Sequence, residues 1–149
     1  MSKTLEEALR KFGARPWHRQ MTWSAMADNG IAVITLWTDL THSYPKERRE
    51  FWTCFDLDGW WHESTGNKKR KVHIQHSLDQ NEGFFRSITV TPLDSKAIPR
   101  SIDKKKGCIP VTKKWWKIRE FDSKTGAFSA DCDWTWKVEG QQLYPGQVS

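Results

Sequence analysis

The spacing of apolar residues changes several times along this chain, and each spacing predicts a different element. Leu5, Ala8, Leu9 and Phe12 recur at helical intervals, so residues 4–12 predict a short amphipathic helix. Thr4 followed by Glu7 is a capping-box pattern, and Gly13 marks the stop. Residues 17–27 read as a second helical segment closed by Asp28-Asn29-Gly30. Residues 31–37 are nearly continuous in apolar and β-branched side chains, which predicts a central strand covered on both faces. Pro45 opens a further helical candidate over 45–52, and residues 72–78 read as a short strand with His73 and His76 at polar positions.

The second half alternates more cleanly. In residues 84–93, Phe85, Ser87, Thr89 and Thr91 share one face, while Phe84, Arg86, Ile88, Val90 and Pro92 share the other. Residues 111–121 and 127–138 complete the strands, and Asp122-Ser123-Lys124-Thr125-Gly126 between them is a turn that makes the pair a hairpin. Strands outnumber helices and do not alternate with them. The expected fold is therefore α+β and β-rich: a curled or barrel-like, mostly antiparallel sheet with the N-terminal helix packed against it. A chain of 149 residues suits one core, placed at 1–140, with 141–149 as a loose tail.

Composition adds a chemical bias. Ten tryptophans stand mostly in or beside basic runs, and the net charge is +6 with a pI near 9.3. Indole rings stack on nucleobases and hold cations, while ammonium and guanidinium groups neutralise phosphates. The expected partner is nucleic acid, DNA ahead of RNA, with the chain acting alone or within a larger DNA-processing protein. Cys54, Cys108 and Cys132 form neither a disulfide framework nor a zinc half-site and read as buried thiols. With no apolar leader and no membrane-length apolar run, the expected location is cytoplasmic and no membrane partner is expected.

Three groups of residues carry the nucleic-acid reading. Trp60 and Trp61 precede Lys68, Lys69, Arg70 and Lys71, placed on a mobile loop as a phosphate clamp beside stacking rings. Arg100 with Lys104, Lys105 and Lys106 forms a second basic loop. On the strand 111–121, Lys113, Trp115, Lys117 and Arg119 share one face, expected to be exposed, while Trp116 and Ile118 point to the core. These residues would grip phosphates and stack an unpaired, flipped or modified base.

Two other readings use different residues. Asp56, Asp58 and Glu63, with His62 assisting, would suit a Mg²⁺-dependent nuclease; Asp56-Leu57-Asp58-Gly59 equally suits a plain turn. No cofactor is expected otherwise. Trp134, Trp136 and Asp131 would suit an aromatic cage for a cationic partner group, making an interaction module. The histidines His18, His42, His62, His73 and His76 lack the spacing and cysteine partners of a zinc site, so no metal ligands are assigned.

Overall fold

The fold comes from a computed structural model that describes residues 3–17, 22–97 and 100–136, with the backbone alone at 138–139 and 142–143. In chain order the elements are helix α1 (Leu5–Arg10) and strands β1 (Ser24–Met26), β2 (Ala32–Trp37), β3 (Thr41–Tyr44) and β4 (Arg49–Thr53). Helix α2 (Thr65–Gln80) follows, then β5 (Phe84–Val90), β6 (Ile109–Phe121) and β7 (Phe128–Asp133). A small separate ladder joins β8 (Val138–Glu139) to β9 (Gln142–Leu143). The first seven strands form one open sheet in the order β1-β2-β5-β6-β7-β4-β3. All its pairs are antiparallel except β2 with β5. The architecture is α+β, with the short N-terminal helix against the sheet and both sheet edges unclosed. Among the described residues no helix is long and apolar enough to cross a membrane.

Several elements follow directly from their residues. Helix α1 has the full reciprocal capping box, Thr4 accepting from the Glu7 backbone N–H while the Glu7 carboxylate accepts from that of Thr4. Strand β2 is apolar throughout because both its faces are covered. Ala32, Ile34 and Leu36 join Trp52, Trp61, Ile74, Phe85, Trp116 and Phe128 in the main core beneath α2. Val33 faces the other way, packing with Ala8, Leu9, Ile88 and Val90 beneath α1. The β6–β7 hairpin turns at Asp122, whose carboxylate accepts from the N–H groups of Lys124 and Thr125 and is held below its ordinary pKa by those bonds.

Three expectations are corrected. Residues 24–26, read as helix, form edge strand β1, too short to show a period; residues 18–21, including His18, lie outside the described residues. Residues 45–52 give only one 3-10 turn, Pro45–Glu47, after which Arg48 at φ 55 reverses the chain into β4. Residues 65–78, read as loop and strand, belong to α2. Its buried stripe is Gly66, Asn67, Arg70, His73, Ile74 and Ser77, at helical spacing but with Ile74 as its one large apolar member. An apolar-periodicity reading cannot see a helix whose inward face is polar. In the expected tail, 142–143 pairs with 138–139, and residues 144–149 lie outside the described residues.

Candidate functional site

The alternation expected for β6 holds, but the exposure does not. Trp116 and Ile118 enter the main core, while Trp115 turns to the opposite face together with Lys117. Trp115 is nevertheless only 5% exposed. It packs in a small cluster with Ile31 and Phe84, against which Trp136 also sits. The Arg86 guanidinium carbon lies 3.6 Å from the Trp115 ring centroid. Arg86 comes from the neighbouring strand β5, and its Nη1 donates to the carbonyls of Thr112 and Lys114. Trp115 therefore cannot present its ring as a stacking platform: it is buried, and Arg86 lies in close contact over what is left of its face.

Beyond Trp115 the same sheet face opens. Register places His42 of β3 opposite Phe51 of β4, Phe51 opposite Asp131 of β7, Asp131 opposite Lys117 of β6, and Lys117 opposite Phe84 of β5. Directly opposed residues point to one face, so these five form a single row across five strands. The side chains interact along it. His42 stacks on Phe51 with centroids 6.3 Å apart, and Lys117 Nζ lies 5.0 Å above the Phe84 ring. Arg119, two residues along β6, reaches back to within 5.4 Å of the Phe51 ring and 3.6 Å of Asp131. His42, Arg49 and Arg119 are exposed, Phe51, Asp131 and Lys117 half-buried, and Phe84 buried. Arg49 stands opposite Asp133, whose carboxylate is held below its usual pKa first by the Thr135 hydroxyl. Cations outnumber acids here, and Lys117 and Arg119 are each pre-positioned over a ring.

The other basic groups spread apart. Lys68 and Lys69 are exposed on α2 rather than on a loop, with Lys69 5.8 Å from Trp17 and Lys68 3.9 Å from Glu63. Lys71 reaches the carbonyl of Lys124 in the β6–β7 turn. Arg70 turns inward and is buried among Trp23, Trp61 and Phe128, at 5.1, 5.4 and 5.1 Å, so it cannot clamp a phosphate. Arg100 pairs with Asp39 at 2.8 Å and lies over Trp37, its side chain only 4% exposed, whereas that of Arg119 is 56% exposed. Lys104, Lys105 and Lys106 occupy an exposed turn that follows Asp103, and Lys113 is exposed on β6. Trp61 is buried in the core and cannot stack on a base, and Trp60 is half-buried against the same core, on the other side of the sheet from Trp115.

The acids and the expected cage also come apart. Asp56 and Asp58 are exposed in the turn before a 3-10 segment, and His62 packs edge-on against Trp61. Among the described residues no three His, Cys, Asp or Glu side chains gather in a group that could hold a metal ion. Trp134 and Trp136 lie on opposite faces. The chain turns after Asp133, which accepts from both the backbone and the hydroxyl of Thr135, and this breaks the alternation that would align them. Trp134 packs on the main core, donates to Glu50 at 2.9 Å and carries the Lys114 ammonium 4.1 Å from its ring. Trp136 meets Phe84 edge-on at 5.2 Å, and Asp131 pairs with Arg119. Trp134 and Trp136 therefore share no cage, and the protein's own Lys114 occupies the face of Trp134.

Sequence reasoning weighed His42 only as a metal ligand and missed the role of Phe51, because residues 45–52 read as a helix. The signal was present in the alternation of Arg49, Phe51 and Thr53 against Glu50 and Trp52. Comparisons with protein-family models, with curated proteins and with solved structures find no match.

Proposed function

We propose that this chain is a nucleic-acid-binding domain that lays an unstacked strand, DNA in preference to RNA, across the open face of β3, β4, β7 and β6. The row His42–Phe51–Asp131–Lys117, with Arg119 over Phe51, carries the reading. It combines what sequence-tolerant strand binding needs: rings for bases and cations for phosphates on one surface. The net charge of +6 adds long-range attraction for a polyanion.

Fluorescence anisotropy with a single-stranded DNA, the matching duplex and the matching RNA at two salt concentrations tests it. The single strand should bind most tightly, and its affinity should fall steeply with salt. Phe51→Ala should weaken it by about 1–3 kcal/mol. Arg119→Ala should weaken all sequences alike and reduce the salt slope by about one unit. Absence of binding at low salt, or affinity indifferent to both changes, overturns the proposal.

A further inference from the structure

On the same sheet face, between the end of α1, the turn at Asp28 and β6, lies a cleft of about 620 Å³. Lys11, Phe12, Asp28, Asn29, Arg86 and Trp115 line it. Its size falls within the span of about 300–1,000 Å³ typical of small-molecule sites.

Its charges are unbalanced in an informative way. A half-buried arginine is ordinarily answered by a carboxylate, yet among the described residues no acid lies within ion-pair distance of Arg86 or Lys11. The contacts of Arg86 with the Thr112 and Lys114 carbonyls and the Trp115 ring fix its plane without cancelling its charge. Burial lowers its pKa to about 10, which leaves it charged at neutral pH. Two unneutralised cations on one cleft favour an anion between them. Phe12, whose ring centroid is 5.7 Å from the Arg86 guanidinium, adds an aromatic wall. Asp28 supplies exposed acceptor oxygens elsewhere on the lining, which repel a phosphate and accept from an amine. The lining thus carries two cations, a ring and an accepting carboxylate together.

We infer that this cleft holds one nucleotide unit of the bound strand, its phosphate at Lys11 and Arg86, its base against Phe12, with bases that carry an exocyclic amine favoured over thymine. The inference rests on the nucleic-acid reading above and names where a single unit is gripped.

Amide spectra of the ¹⁵N-labelled protein titrated with deoxyadenosine monophosphate, thymidine monophosphate and inorganic phosphate test it, alongside anisotropy with oligo-dA and oligo-dT. The adenine nucleotide should shift Lys11, Gly13 and Asn29 more strongly than the thymine one. Lys11→Glu should weaken both the mononucleotide and oligo-dA by about tenfold, the size of one contact to a charged group. Lys11→Gln, gentler on the helix end, should weaken them less. Asp28→Asn should abolish the preference for adenine over thymine. If mononucleotides shift these amides but oligo-dA ignores Lys11→Glu, the cleft is a free-nucleotide site and the inference fails. If no cleft amide moves while oligonucleotides still bind and still depend on Phe51, the cleft inference fails and the sheet-face reading stands. If no oligonucleotide binds, both fall.

Discussion

The hydroxyl of Ser24 on β1 and Nδ1 of His73 on α2 share a hydrogen bond of 2.6 Å in a site where both residues are buried. It joins the helix to the sheet edge and leaves the imidazole nowhere to hydrate a charge. Burial first, then the positive charges of Lys69 and His76, push the His73 pKa down from 6.5 to about 4.

The sign of the pH effect follows. Between pH 6.5 and 4 the unfolded chain protonates this histidine and the folded one does not, so stability falls as pH falls through that window. The loss amounts to about 3 kcal/mol at most, from about 1.4 kcal/mol per pKa unit. Urea denaturation at pH 7.5, 5.5 and 4 should trace it, and His73→Gln should flatten the curve there. Equal slopes in the two proteins would assign the acid lability to other groups.

Asn67, fully buried at the start of α2, donates to the carbonyls of His62 and Thr125 at 2.9 and 2.7 Å and accepts from Arg70 at 3.3 Å. Asn67→Ala takes the amide from two carbonyls and removes the acceptor of the Arg70 guanidinium. A cost of about 3 kcal/mol is expected, from about 1–3 kcal/mol per buried group left unpaired. A denaturation midpoint within error of the parent would contradict this.

Arg70 is buried with no carboxylate in ion-pair distance among the described residues, its Nε is unpaired, and three rings surround it. Desolvation lowers its pKa. Arg70→Met keeps the volume and removes the charge, so stability should stay within about 1 kcal/mol or rise. Arg70→Lys swaps a flat, weakly hydrated cation for a compact, strongly hydrated one and should cost about 2 kcal/mol. Thermal unfolding of the two variants side by side decides the order, and Met below Lys would refute it.

Trp115→Ala should now act on stability. A buried indole lost from under Arg86 leaves a cavity worth about 3–5 kcal/mol. Circular dichroism melting should register a fall of many degrees, whereas Lys113→Ala, at an exposed position of the same strand, should leave the melt unchanged.

How far the sequence could be read depended on which side chains fill the interior. Helix α1, strands β2 and β5, and the β6–β7 hairpin announce themselves through apolar period and turn chemistry, as at Thr4, Glu7 and Asp122. Helix α2 does not, because Asn67, Arg70, His73 and Ser77 occupy its inner face. The face of β6 was legible two residues at a time. That Arg86 would cover Trp115 depends on β5 lying beside β6, a neighbour relation that period does not encode. The split of Trp134 from Trp136 likewise hangs on one turn at Asp133.

The polar inner face of α2 also limits where the helix can rest. A helix held by leucines can slide along its groove and trade one greasy contact for another. Here a shift by one turn would strand Asn67, His73 and Ser77 at once, since Ser77 donates to the Phe84 carbonyl, His73 needs Ser24, and Asn67 needs both its carbonyls. Close approach adds a stop, because a Cβ at Gly66 would already stand 2.6 Å from the Trp23 ring. The helix therefore docks in a single seat or not at all, and the sheet it covers inherits that all-or-none character.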